Sequence, residues 1–347
     1  MVDWGLANRV AEGVATLQPS GDGAPFQALA EPVAEAERLV AAYTGLEPAS
    51  GEIPEPESVD RGEWIETNLR SMRGVLDPAA AKATSGMGAL GGVAGVAAGA
   101  VLGLEAGAIS GFLAGRVLGQ YEFPVLDPDA PARLLFVAPN LGQAAASLDA
   151  ESERLLRWVA LHEVTHALQF GGVPWLREHL AGLVRELTEA LDLDPGRMLR
   201  SLPGLDDLKG LLEQVKEGGI AAVVVGPERR ELIERVQCFM AVLEGYAEHV
   251  MDAVGTDVIE DLPALRASLE RRRADRTGLL RLFEKMIGLD VKLRQYEQGK
   301  AFCDGVVSLG GIHGLNRVWD GPEHLPSPAE LDDPLAWLAR TAPPAAA

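Results

Sequence analysis

The sequence predicts a mainly helical protein with very little strand. Apolar residues recur at spacings of three and four over most of the 347 residues. Only Leu134-Leu135-Phe136-Val137-Ala138 reads as a short apolar strand. A charge-free, glycine-rich stretch from Ser85 to Leu104 repeats with a period of four, which belongs to a helix face.

Taken in order, Asp3 can cap a helix carrying Leu6, Val10, Val14 and Leu17. A Pro/Gly stretch at 18–24 breaks it, and a second helix over about 25–44 carries Leu29, Val33, Ala36, Leu39 and Val40. Pro48, Pro54 and Pro56 make 45–60 a linker or loop. The helical pattern resumes at 61–80. Glycines at 91, 95, 99, 103, 107, 111, 115 and 119 then form a bare ridge along which another backbone can approach closely. The length suits a bilayer span. However, Gly and Ala are poorly hydrophobic, no basic or aromatic belt flanks the run, and Glu105 and Arg116 interrupt it. A buried helical segment is expected, and membrane association is not.

After the strand, which ends at Pro139-Asn140, Asp149 is expected to start a helix with Glu151 and Glu153 in its first turn. Leu155, Leu156, Val159 and Leu168 mark its apolar side, and Gly171-Gly172 stops it. Helices follow at about 174–192, 195–200, 205–217, 227–254, 262–287 and 290–305. The apolar run 220–225 is a loop or strand, Gly310–Gly314 a turn, and 328–340 a short helix. This divides the chain into an N-terminal helical region, 1–80, and a core, 81–347, with a helical insertion at 172–226. The two form one unit.

Acidic residues outnumber basic ones, 51 to 31, for a net charge of −20. A nucleic-acid binder must neutralise phosphates, so that class is excluded, as is docking on an anionic membrane. The two cysteines, Cys238 and Cys303, are too few for a disulfide framework. With no basic and apolar leader at Met1-Val2-Asp3-Trp4, the expected location is cytoplasmic.

The most informative segment is His162-Glu163-Val164-Thr165-His166. Two His at i and i+4 lie one above the other on a helix face, about 5–6 Å apart, so both imidazoles can reach one ion. Glu163 is offset by roughly 100° and sits beside the ion, placed to move protons. One Zn2+ is the expected cofactor, with Glu163 the catalytic base of a metallohydrolase.

A zinc hydrolase needs a third protein ligand. The segment Leu243-Glu244-Gly245-Tyr246-Ala247-Glu248-His249-Val250-Met251-Asp252 resembles the third-ligand helix of gluzincins. Matched to the Glu-Gly-aromatic-Ala pattern, Glu244 is the ligand. Matched to the thermolysin-like pattern of Glu with Asp four residues on, Glu248 is the ligand and Asp252 supports it. The spacing departs from common gluzincins: 78 positions separate His166 from Glu244 where the family has a short stretch. An insertion of helices would account for this.

The chain also resembles a narrower group, the zincin-like metallopeptidases of actinobacteria and relatives, labelled as hydrolases or as associated with biosynthesis of a deazaflavin coenzyme. The runs that match are Val2-Asp3-Trp4, Val117–Tyr121, Trp158–Ala167, Glu244–Gly255 and Gln295–Gly299. The resemblance implies an α+β zincin-like fold, with the His-Glu helix packed on a second ligand helix and a small β element. It does not supply a substrate; a peptide or protein is the substrate expected of the peptidase reading. The strand 134–138 is expected to pair with that substrate, as edge strands do in zincins. The alternative is a non-catalytic zincin relative that binds a metal or a partner.

Tyr246 and Tyr296 are candidates to donate to an oxyanion, and His249 is a candidate auxiliary donor. Asp149, Asp252 and Asp304 are candidate supporting carboxylates. His179, His313 and His324 lack partners at ligand spacing, and Arg271–Arg273 reads as a solvated helix face.

Overall fold

A computed structural model describes residues 1–84, 91–127, 130–190, 227–274 and 289–342. The helices are α1 (Trp4–Thr16), α2 (Ala30–Thr44), α3 (Arg61–Thr84), α4 (Gly91–Ala114), α5 (Ala138–Leu148), α6 (Ser152–Gly172), α7 (Leu176–Ala190), α8 (Pro227–Gly255), α9 (Leu262–Ala274), α10 (Leu289–Leu315), α11 (Pro328–Leu331) and α12 (Pro334–Arg340). The strands are β1 (Pro56–Val59), β2 (Gly119–Glu122) and β3 (Arg133–Val137). The protein is mainly α, with a small sheet ordered β1-β3-β2.

The apolar run of β3 explains its place at the centre of that sheet. Leu134, Leu135, Phe136 and Val137 are all fully buried. Successive side chains point to opposite faces, so Leu134 and Phe136 enter the core shared with α2, α6 and α8, while Leu135 and Val137 enter the one shared with α1 and α3. β1 pairs with β3 in parallel and β2 pairs with it antiparallel. With both edges of β3 occupied, the expectation that 134–138 takes a substrate strand is overturned. β2 is an edge strand, and it lies against α6.

The glycine ridge has a specific use. Side chains added at Gly99, Gly103, Gly107 and Gly111 would overlap the backbone carbonyls of Met1, Asp3, Ala7 and Ala11. Ala7, Ala11 and Ala15 of α1 are buried against this face, so two small-residue surfaces pack at backbone contact. Asp3 caps α1 by accepting from the Leu6 N–H, and its own N–H donates to the Gly99 carbonyl. Among the described residues, Gly95–Ala114 is long and apolar enough to cross a membrane. Here it packs against α1 and α3.

The sequence-based boundaries need four corrections. β1 lies inside the expected 45–60 loop. β2 occupies the end of the glycine period, which stops being helical at Gly115. Asp149 does not open a helix: it adopts φ 51 and closes α5, a helix over residues to which the sequence pattern assigns no element. The turn expected at 310–314 is a kink within α10, where Gly311 takes φ 68 and ψ 179. The expected helices 195–200 and 205–217, the run 220–225 and the far end of 262–287 lie outside the described residues. Residues 1–80 supply β1 to the sheet and α2 to the face of α6.

Candidate metal centre

α6 runs through the middle of the larger core, with Leu155, Ala160, Val164 and Leu168 fully buried. The Nε2 atoms of His162 and His166, one turn apart, lie 3.2 Å from each other. The third group comes from α8, which crosses α6 and packs closely on α10. At the α8–α10 crossing, a side chain on Gly245 would overlap Gly299, and one on Gly299 would overlap the Ala241 carbonyl. This close approach fixes the part of α8 that carries Glu244. Glu244 Oε2 lies 3.6 Å from His162 Nε2 and 3.7 Å from His166 Nε2.

These separations test whether the residues fit an ion. Four ligands at about 2.0–2.1 Å in a tetrahedron stand about 3.3–3.4 Å apart. The three measured edges lie close to that value, and all the donor atoms fall within 4.8 Å of one another. Two imidazoles and a carboxylate are also a donor set that suits zinc.

A fully buried side chain supports this arrangement. His166 Nδ1 is 2.8 Å from Gln169 Oε1, and Gln169 Nε2 donates to the Leu243 carbonyl at 3.2 Å. With its oxygen as acceptor, Gln169 holds a proton of His166 on Nδ1, so that Nε2 is the nitrogen facing His162 and Glu244 and the one that can ligate once its own proton leaves. It also ties α6 to the residue next to Glu244.

Glu163 points to the other side of the pair, toward β2. It is 6% exposed, and its Oε2 accepts from the Tyr121 N–H at 2.9 Å. A Cβ on Gly119 would stand 2.6 Å from Glu163 Cγ, so this glycine leaves the space that Glu163 occupies. Burial raises the Glu163 pKa above the usual carboxylate value, against the pull of His162, His166 and the Tyr121 N–H. For His166, burial disfavours the cation, but Glu244, Glu163 and Gln169 outweigh it and carry the pKa up to about 9.

The other sequence-selected residues lie elsewhere. Glu248 is ion-paired with Arg266 at 2.6 Å. Asp252 pairs with Arg266 and with Lys300, the latter at 3.0 Å. Tyr246 is fully buried and donates to Asn316 Oδ1 at 2.8 Å. His249 bridges the Tyr43 hydroxyl at 2.8 Å and Asp304 Oδ1 at 2.7 Å, joining α2, α8 and α10. Tyr296 falls in a stretch of α10 whose side chains are outside the described residues. The sequence gives Gln169, Gly119 and the Tyr121 backbone no role at the site, although Gly119 belongs to the glycine period and Tyr121 to a run that matches the family. Gln169 sits three residues after His166, a spacing that could have flagged it.

The solved structure of a candidate hydrolase with a novel fold from Chloroflexus aurantiacus superposes with a TM-score of 0.68 at 30% identity, over 98% of each chain. No functionally curated protein matches the chain. A family model for zincin-like metallopeptidases matches residues 2–338. The chain belongs to the zincin-like metallopeptidase family.

Proposed function

We propose that this protein is a zinc-dependent peptidase, with one zinc ion held by His162, His166 and Glu244 and with Glu163 as the base. The observation that carries the reading is the near-tetrahedral spacing of three donors beside a buried carboxylate. A zinc ion bound there supplies Lewis acidity, polarising a carbonyl and acidifying water. Glu163 takes the proton from the attacking water and delivers it to the leaving amine. Its raised proton affinity suits both halves of that transfer. The Tyr121 N–H fixes one carboxylate oxygen, which leaves the other to carry the proton. β2, an edge strand beside Glu163, offers an extended peptide a place to pair by main-chain hydrogen bonds. Cys238 and Cys303 are both free and buried, in keeping with a reducing, cytoplasmic setting.

Metal analysis of the purified protein should give one zinc per chain, lost in His162→Ala. Glu163→Gln should keep the zinc and lower peptide cleavage by about 10²–10⁴-fold. Undiminished cleavage by Glu163→Gln would sink the peptidase mechanism. Retained zinc with full cellular function in that variant would instead favour the non-catalytic binding role.

A further inference from the structure

Arg177 sits at the start of α7, half-buried, beside the aromatic cluster that continues the Glu163 side of α6. Phe170 lies seven residues after Glu163, so the two project in nearly the same direction, about 10 Å apart along the helix axis. The Tyr121 ring lies nearly parallel to that of Phe170, with 6.1 Å between centroids. Arg177 Nη2 donates to the Tyr121 hydroxyl at 2.9 Å, and the guanidinium stands 4.6 Å over the Phe123 ring. Glu163, Tyr121 and Arg177 therefore form a continuous line, running from the backbone N–H of Tyr121 to its hydroxyl.

The guanidinium of Arg177 is bonded to a hydroxyl and an aromatic ring and to no carboxylate among the described residues. Arg133, Arg157, Arg185, Arg235, Arg266 and Arg340 each pair with a carboxylate. Among the described residues Arg177 has none; Arg61 and Arg154 also lack one but donate to backbone carbonyls, whereas Arg177 donates to a side-chain hydroxyl. Because the Tyr121 oxygen accepts from Arg177, its own proton is left to donate. Guanidinium and phenol together offer two donors to one anion.

We propose that Arg177 and Tyr121 form a subsite that reads a carboxylate of the substrate. This rests on the peptidase reading and names its substrate class. At about 3.3 Å per extended residue, a carboxylate there belongs two or three residues from the cleaved bond. Its source is either the chain-terminal carboxylate or an acidic side chain.

The test is calorimetric titration of the zinc-loaded Glu163→Gln protein, which binds without cleaving. The probes are N-acetyl-pentaalanine acid, its C-terminal amide, and amides carrying one Asp at each position in turn. Either the acid or one of the Asp amides should bind at least about tenfold tighter than the neutral amide. Preference for the acid assigns the terminal carboxylate, and preference for one Asp amide assigns a side chain. Adding Arg177→Met should abolish the preference, and Tyr121→Phe or Arg177→Lys should reduce it, with zinc content unchanged. Equal binding of all probes, a preference that survives Arg177→Met, or no binding at millimolar concentration overturns the proposal. Charge-selective binding without cleavage by the wild-type protein would overturn the peptidase reading and leave the subsite standing.

Discussion

The carboxylate of Glu163 is held by the backbone N–H of Tyr121, 2.9 Å away, and has room there because residue 119 lacks a side chain. A Cβ at 119 would lie 2.6 Å from Glu163 Cγ, 2.8 Å from Val159 Cγ1 and 2.9 Å from Glu163 Oε1. All three are inside contact distance, so either β2 or the carboxylate must move. Gly119→Ala should therefore leave zinc content intact, lower peptide cleavage by at least about tenfold, and cost about 1–3 kcal/mol of stability as overpacking does. Zinc analysis, cleavage rates and denaturant unfolding of one preparation check all three. Unchanged cleavage would overturn the proposed base role of Glu163 in this position.

The pKa of His166 makes the proposed zinc binding a proton-releasing event. In the metal-free protein Glu244 holds the imidazolium, and the pKa is about 9, above the usual 6.5. A ligating imidazole must be neutral. Zinc binding at pH 7.5 should therefore expel about one proton, read as the dependence of calorimetric enthalpy on buffer ionisation heat. The sign for stability follows from the same shift. A raised folded-state pKa contributes stability that is full below about 6.5 and lost as the pH rises toward 9. The melting temperature of metal-free protein should fall across that window, and His166→Gln should flatten the slope.

How much of this was legible in the sequence depends on how local each feature is. The His162–Glu163–His166 unit lies within one helix, where spacing alone sets the geometry. Glu244 entered only through resemblance, because nothing in the spacing brings residue 244 to residue 166. That meeting depends on a tertiary crossing made possible by Gly245 and Gly299. The four-residue strands β1 and β2 are too short to show an alternation, and Gly119 is in phase with the helical glycine ridge, so β2 was absorbed into it. β3 is legible because burial on both faces leaves an unbroken apolar run. Gln169 is not legible, since a polar residue inside a helix reads as solvated until its neighbours are known.

The glycine ridge makes a further prediction about the fold. At Gly107 the backbone of Ala7 occupies the place of any side chain. Gly107→Val should push α4 off α1 and destabilise the protein by at least about 1–3 kcal/mol. Gly13 of α1, where an added Cβ meets nothing within 4 Å, is the control, and Gly13→Ala should be neutral or mildly stabilising. Chemical denaturation of both variants measures the contrast. Equal stability in the two would mean that α1 and α4 do not pack at backbone contact.

Gln169 couples two separate jobs, and two substitutions pull them apart. Its oxygen accepts from His166 Nδ1, while its amide N–H donates to the Leu243 carbonyl. Gln169→Glu keeps the acceptor and removes the donor. Gln169→Leu removes both and leaves the buried His166 N–H unpaired, a penalty of about 1–3 kcal/mol, while the Leu243 carbonyl, inside α8, keeps its intrahelical bond and loses only its second one. Zinc affinity, measured by chelator competition, should fall about 10–100-fold in Gln169→Leu, the usual loss when a ligand's supporting partner goes. It should stay near wild type in Gln169→Glu, because the His166 proton still has its acceptor. Stability of the metal-free protein should fall in both, because both lose the bond to Leu243. Affinity that tracks stability across the pair would reduce Gln169 to a packing residue. Affinity that tracks the acceptor alone makes it the group that aims His166 at the ion.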